Sequence, residues 1–289
     1  MTANKGLEAT TFAIDIAGEV AHLRFNRPEK ANSMTRAFWS ELPRVVTAID
    51  RGALARAIVI SGEGKHFCSG MDLSVFGDGE IGGEGKAGGP DMARKAEAFL
   101  FHLKSLQDAF TCLDQARMPV IAAIPGACVG GAVDLVTACD IRYGAESTFF
   151  SIQETNIGMT ADVGTFPRLC TVIPQGHVRE MAYTGRRLTA ARAREIGLLN
   201  ETFPDAETTL AAALDLAREI ATKSPVAVTG CKRMINYARD HSIDDTLDYV
   251  AVWNASMLRT EDMRLAIEGQ MTKTTPRFQN LLVPRTGFE

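Results

Sequence analysis

Pro119-Val-Ile-Ala-Ala-Ile-Pro-Gly-Ala-Cys-Val-Gly-Gly-Ala-Val-Asp-Leu-Val-Thr-Ala-Cys139 holds a strand, a glycine-bearing turn and a helix in one run. Pro119–Ile124 is continuously apolar, too short for a helix, and stopped by Pro125-Gly126, so it reads as a buried strand. Gly130–Cys139 reads as a short helix opened by a glycine pair, with Asp134 in its first turn. The first N–H groups of a helix have no partner inside it and carry partial positive charge. Glycine, lacking Cβ, lets a ligand come close to that backbone. A helix start of this kind can hold a developing negative oxygen.

The same plan recurs upstream. Ala57–Ser61 is a second short apolar strand, followed by the turn-rich Gly62-Glu-Gly-Lys-His-Phe-Cys-Ser-Gly-Met-Asp-Leu73. Phe12–Ile16 and Val20–Phe25 alternate around Ala17-Gly18-Glu19 as an opening hairpin. Thr35–Arg51 is predicted helical, with Phe38, Leu42, Val45, Val46 and Ile49 on one side and a kink expected at Pro43. Residues 77–90 are rich in glycine and read as a mobile surface loop. A long helix is predicted over Asp91–Ala116, and strands over Ile141–Ala145 and Thr148–Ile152. Helices then follow at 175–184, 189–196, 207–222, 225–239, 243–258 and 260–271. Short apolar strands separated by helices predict an α/β class with a parallel or mixed sheet. We divide the chain into a core over 1–200 and a helical region over 201–289.

Composition narrows the function. Of 289 residues, 46% are hydrophobic and 23% charged, which excludes a disordered chain and allows a sizeable core. Lys plus Arg number 31 and Asp plus Glu 35, a net charge of −4, a poor match for nucleic acid or an anionic membrane. The apolar stretch from Pro119 to Val136 is broken by Pro125, glycines and Asp134, so no spanning helix is expected. The N-terminus lacks the apolar core of a signal peptide, and the C-terminus lacks the usual peroxisomal tripeptide. Six scattered cysteines without a Cys-x-x-Cys pair suit a reducing compartment, and a cytoplasmic location is expected.

Several motifs fail. Gly62-x-Gly64 lacks the third glycine of a dinucleotide loop, since Phe67 stands there. Gly85-Lys86 lacks the glycine and hydroxyl that a P-loop needs, since the chain has Glu80 and Ala87 at those positions. His22, His66, His102, His177 and His241 have no metal-ligand spacing, and no Gly-x-Ser-x-Gly elbow exists. Three carboxylates remain: Asp134, Glu154 after the strand 148–152, and Asp162 in Gly158-Met-Thr-Ala-Asp-Val-Gly164. Each alone also fits a structural role. Asp134 suits a helix dipole partner, Glu154 a solvated loop charge, and Asp162 an N-cap for a helix beginning near Val163.

Ile124–Tyr143 strongly resembles the second oxyanion region of the enoyl-CoA hydratase/isomerase (crotonase) superfamily, and Gly64–Leu73 resembles the first. Arg27-Pro-Glu-Lys-Ala-Asn-Ser-Met34 is similar to the family's early CoA-contacting turn. Thr184-Gly-Arg-Arg-Leu-Thr-Ala190 and Gly197-Leu-Leu-Asn200 match its later helix–turn signature. The resemblance implies a crotonase-like spiral core of short strands and helices with a C-terminal helical trimerisation region. It implies an oxyanion hole from the N–H groups of Met71 and Gly131. CoA contacts are implied at Arg27, Lys30, Ala31, Ser69, Gly70, Asp72, Leu73 and Gly130, with Arg233 and the tail around Lys273, Arg277 and Phe278 as further contributors, from the same or a neighbouring subunit. Family hydratases carry Glu at the positions of Asp134 and Glu154, and typically Gly at that of Asp162. An Asp, Glu, Asp set resembles the branch that converts 3,5-dienoyl-CoA to 2,4-dienoyl-CoA in fatty-acid β-oxidation. Ala132 replaces the third glycine of the usual run, and Asn156 stands where that branch commonly has Asp.

The resemblance therefore implies an isomerase with Asp134, Glu154 and Asp162 as catalytic carboxylates. It implies no metal, flavin or nicotinamide, since coenzyme A arrives as part of the substrate. The expected partners are an acyl-CoA thioester and further copies of the chain, as a homotrimer or a dimer of trimers. Enoyl-CoA hydration or another acyl-CoA reaction of the family is the alternative. A non-catalytic binding or scaffold protein is disfavoured by the negative net charge and the carboxylate set.

Overall fold

The computed structural model describes residues 6–76 and 91–284, so the glycine-rich 77–90 run lies outside the described residues. In chain order the elements are β1 (Phe12–Ala17), β2 (Val20–Phe25), α1 (Arg36–Arg51), β3 (Ala57–Gly62), α2 (Met92–Gln115), β4 (Val120–Ile124), β5 (Ala127–Val129), α3 (Gly131–Thr137), β6 (Ile141–Ala145) and β7 (Phe149–Ser151). Then come α4 (Thr165–Val172), α5 (Gln175–Thr184), β8 (Leu188–Thr189), α6 (Ala190–Glu195), β9 (Glu201–Phe203), α7 (Ala206–Ala221), α8 (Pro225–Tyr237), α9 (Ile243–Met257) and α10 (Glu261–Thr272).

A six-stranded sheet runs in the order β1-β2-β3-β4-β6-β9, and a three-stranded sheet in the order β5-β7-β8. In the larger sheet only the β1–β2 hairpin is antiparallel. Parallel strands covered on both faces read as apolar runs, and β4 is buried at every position. The period of two sorts its side chains. Val120, Ala122 and Ile124 join the main core with Ile58 and Ile60, under the apolar side of α1. Val59, Ile121 and Ala123 face the other way, against Ala213, Ala217 and Ala221 of α7. That alanine stripe at a spacing of four lets the α7 backbone lie close to the sheet.

The boundary expected at residue 200 falls just before β9. Glu201–Phe203 pairs in parallel with β6, and α7 covers the sheet, so both belong to the α/β core. Short β9 lacked a hydrophobic signature and is stabilised by its neighbour. The helical region proper starts with α8, which a part-buried ion pair ties to the core. Lys232 Nζ reaches Asp140 Oδ2 at 2.8 Å and the carbonyls of Leu113 and Met118 at 2.7 and 3.1 Å. Helix α1 continues through Pro43.

Candidate active site

Two backbone segments leave the sheet side by side. Cys68 N–H donates to Ala127 C=O at 3.0 Å, and Val129 N–H donates to Cys68 C=O at 3.1 Å. The two strand exits are thereby locked in register. One step on, Met34 N–H donates to Gly70 C=O at 2.8 Å and Asp72 N–H to Met34 C=O at 2.9 Å. In such a parallel bridge Met34 spends both its groups on residues 70 and 72, so the N–H and C=O of Met71 face away from it. Gly131 opens α3, where its N–H has no partner in the helix. Gly70 (φ +88°) and Gly130 (φ +56°, ψ −128°) hold conformations that side chains resist. A Cβ on Gly70 would lie 2.7 Å from Val129 O and 3.4 Å from Gly131 N, so the 70–71 and 130–131 segments abut.

The three carboxylates come from three elements, and the charge of Asp162 acts on the other two. Asp134 comes from the first turn of α3 and is fully buried. Its Oδ1 accepts the N–H of Thr165, the first residue of α4, at 2.6 Å. Its Oδ2 is buried with no hydrogen-bond partner among the described residues. Burial raises its pKa to about 7; the bond from Thr165 opposes this lift, and the charges of Glu154 and Asp162 add to it. Glu154 begins a 3-10 turn that follows β7, and Gly130 N–H donates to Ser151 C=O at 2.9 Å, holding that strand to the glycine junction. Glu154 Oε1 lies 3.5 Å from where a Gly130 Cβ would stand, and Oε2 is buried and unpartnered among the described residues. Burial raises the Glu154 pKa, and the Asp162 charge raises it further. Asp162 lies on the irregular stretch before α4 and is half-buried, and burial raises its pKa too.

Asp162 is not the N-cap of α4. That position belongs to Gly164, and the Asp134 carboxylate takes the first helical N–H instead. A charge from a neighbouring helix thus does what a local cap would do, leaving Asp162 unspent.

The positions expected to hold CoA lie on three neighbouring segments. Ser69 N–H donates to Ala31 C=O at 3.0 Å, joining the 27–34 turn to the 69–72 segment. Ala31 is itself in the left-handed region. Arg27 Nη1 bonds Ser33 C=O at 2.9 Å and Asp72 Oδ2 at 3.4 Å. Asp72 also receives Ser74 and Ser33, which with Arg27 draw its pKa down to about 2. Arg27 and Asp72 therefore brace each other. Lys30 ends an exposed 3-10 turn, Leu73 begins another, and Gly130 abuts Gly70. The tail is elsewhere in this chain: Arg56 Nη2 holds Phe278 C=O at 2.6 Å, beside the start of β3. Residues 69–73 follow the other end of that strand, roughly 20 Å along it.

Sequence reasoning missed three groups around the carboxylates: the Thr165 N–H, Gln107, whose Nε2 donates to Asp162 C=O at 2.8 Å, and Arg168, which binds Asp114. A main-chain donor leaves no trace in residue type. Gln107 and Arg168 resemble any polar residue on a helix surface.

The family described as enoyl-CoA hydratase/isomerase matches residues 15–280. The mitochondrial Delta(3,5)-Delta(2,4)-dienoyl-CoA isomerase of Rattus norvegicus is 44% identical over 255 residues, covering 88% of this chain and 77% of that protein. The peroxisomal enzyme of that name from Arabidopsis thaliana is 41% identical over 262 residues, covering 91% and 93%. An enoyl-CoA hydratase structure from Bacillus anthracis superposes with a TM-score of 0.81 at 28% identity, over 93% of this chain and 99% of that one. The crotonase-like α/β fold expected from the sequence is therefore the fold observed, and the chain belongs to the enoyl-CoA hydratase/isomerase family.

Proposed function

We infer that this protein is an acyl-CoA isomerase that converts 3,5-dienoyl-CoA to 2,4-dienoyl-CoA in fatty-acid β-oxidation. The observation that carries the reading is the set of three mutually coupled carboxylates, Asp134, Glu154 and Asp162, beside the glycine junction. Relatives at 41% and 44% identity bear the name of that activity.

The reaction removes a proton from C2 and delivers one to C6. The N–H groups of Met71 and Gly131 form the proposed oxyanion hole, holding the thioester oxygen as the dienolate forms. Loss of one such donor costs roughly 3–4 kcal/mol of barrier. Glu154 and Asp162 are the proposed proton-transfer pair. The closeness of Glu154 to Gly130 favours Glu154 for the C2 end and Asp162 for the C6 end. C2 is bonded to the carbonyl carbon, so a carboxylate beside the junction is placed to serve it. Burial that raises all three pKa values favours a form in which one carboxyl is protonated and able to donate.

CoA is the proposed ligand of Arg27, Lys30, Ala31, Ser69, Gly70, Asp72, Leu73 and Gly130. It enters as part of the substrate, and the proton transfers assigned here require no metal, flavin or nicotinamide. A homotrimer or dimer of trimers is supported by the exposed apolar side chains of α9 and α10, among them Leu247, Val252, Met263 and Ile267. The cytoplasm is the proposed location, on the strength of six free cysteines. No helix among the described residues is long and apolar enough to cross a membrane.

A panel of saturated, enoyl and dienoyl thioesters tests the reading. Appearance of the conjugated 2,4-dienoyl absorbance from 3,5-dienoyl-CoA is expected. Fast loss of enoyl absorbance from crotonyl-CoA, with none of that conversion, would make the protein a hydratase.

A further inference from the structure

We propose that Gln107 of α2 is a positioning residue for Asp162, fixing where that carboxylate stands over the substrate; this rests on the role given to Asp162 above. Residues 159–164 have no regular secondary structure, so local backbone hydrogen bonding does not set the place of Asp162. Its carbonyl instead accepts Gln107 Nε2 at 2.8 Å, from a residue 55 positions away in sequence. The donor stands on a firm support. Ala109, Phe110 and Leu113, on the same turns of α2, are buried in the core.

Two further ties run along the same side of α2. Positions 107, 111 and 114 follow the helical spacing of four and three, and so share a face. Arg168 of α4 donates through Nε to Asp114 Oδ2 at 2.6 Å and through Nη2 to Thr111 Oγ1 at 3.1 Å. Both charged side chains of that pair are largely buried, at 12% and 15% exposure, where an ion pair holds geometry better than one in open solvent. The Arg168 guanidinium lies over Gly164, whose φ is +131° and whose missing Cβ makes the room. From the opposite side Asp134 holds Thr165 N–H. The short segment is therefore gripped at residue 162 and again at 164–168, and Gln107 is the contact made to Asp162 itself.

A carboxylate displaced by about 1 Å loses up to about a hundredfold in rate, even when every reacting group is present. Gln107→Met keeps length and removes the donor. Its kcat on 3,5-dienoyl-CoA is expected to fall about ten- to a hundredfold, with KM changed by less than about threefold. The limb of its pH–rate profile governed by Asp162 is expected to move. In an Asp162→Asn background the same substitution is expected to cause no further loss, because it acts through the missing carboxylate. Wild-type kcat and pH profile in Gln107→Met would overturn the proposal, as would a full multiplicative loss in the double variant. Should Gln107→Met fail to fold, Gln107→Glu serves: its rate relative to wild type is expected to fall as rising pH removes the donating proton, and a pH-independent ratio would overturn the proposal. Wild-type turnover by Asp162→Asn alone would overturn the functional reading itself and this inference with it.

Discussion

Asp134 keeps one oxygen on the Thr165 amide and the other buried without a partner among the described residues. Its ordinary pKa of 3.8 is raised to about 7. Between those values the native chain holds a proton that the unfolded chain has released. Its contribution therefore favours the fold at low pH, and stability is lost as pH rises from about 4 towards 7. Asp134→Asn removes this cost and still accepts the Thr165 N–H through its amide oxygen. The gain in melting temperature over wild type is expected to be larger at pH 8 than at pH 5, with lower turnover at both; thermal melts at the two pH values check it, and an equal difference would refute it. Gly130 offers a second test at this scale. At φ +56° and ψ −128° an alanine is strained, and its Cβ would meet Glu154 Oε1 at 3.5 Å. Gly130→Ala is expected to lower stability by about 1–3 kcal/mol and to reduce kcat, read by denaturant titration and steady-state kinetics.

At the scale of elements, the site depends on the register of two strand exits and the start of two helices. Gly70→Ala would force a Cβ against Val129 O, prising β5 from the 68–71 segment. A fall in kcat larger than the rise in KM is expected, because the amides of the proposed oxyanion hole move while the proposed CoA contacts on 27–34 remain. The strongly apolar β3 and β4, the apolar side of α1 and the long α2 were legible in the sequence because burial writes a period into residue type. The glycine junction was legible as a position, and its chemistry came from the resemblance. Other elements left no such mark. Ala127–Val129 and Leu188–Thr189 are three- and two-residue strands. They exist because β7 lies between them, and no local pattern encodes that. The start of α4 was misplaced because its first N–H is satisfied by Asp134, 31 residues away. Asp162 was readable as a residue, but the Gln107 bond that steadies it was not. A glutamine on a helix surface looks the same whether it faces solvent or a carbonyl.

The molecule as a whole is an α/β core with a helical extension clamped to it. Lys232, at 5% side-chain exposure, is the clamp, and removing it leaves Asp140 without its ion-pair partner at the β4–β6 end of the sheet. Lys232→Met is expected to lower stability by about 3–5 kcal/mol while KM and kcat of the folded fraction stay close to wild type, as checked by denaturation and active-site-normalised kinetics. Beyond the clamp, α9 exposes Leu247 and Val252 at 60% and 65%. Charging that surface with Val252→Glu is expected to shift the assembly towards monomer in light scattering; an unchanged mass would place the interface elsewhere. In the proposed reaction two carboxylates act at opposite ends of one dienolate. The most direct measurement is the saturated rate of conversion of 3,5-dienoyl-CoA by Asp162→Asn beside wild type. A fall of about 10²–10⁴-fold with the melting temperature preserved is the expected result. A rate within a few fold of wild type would contradict the account.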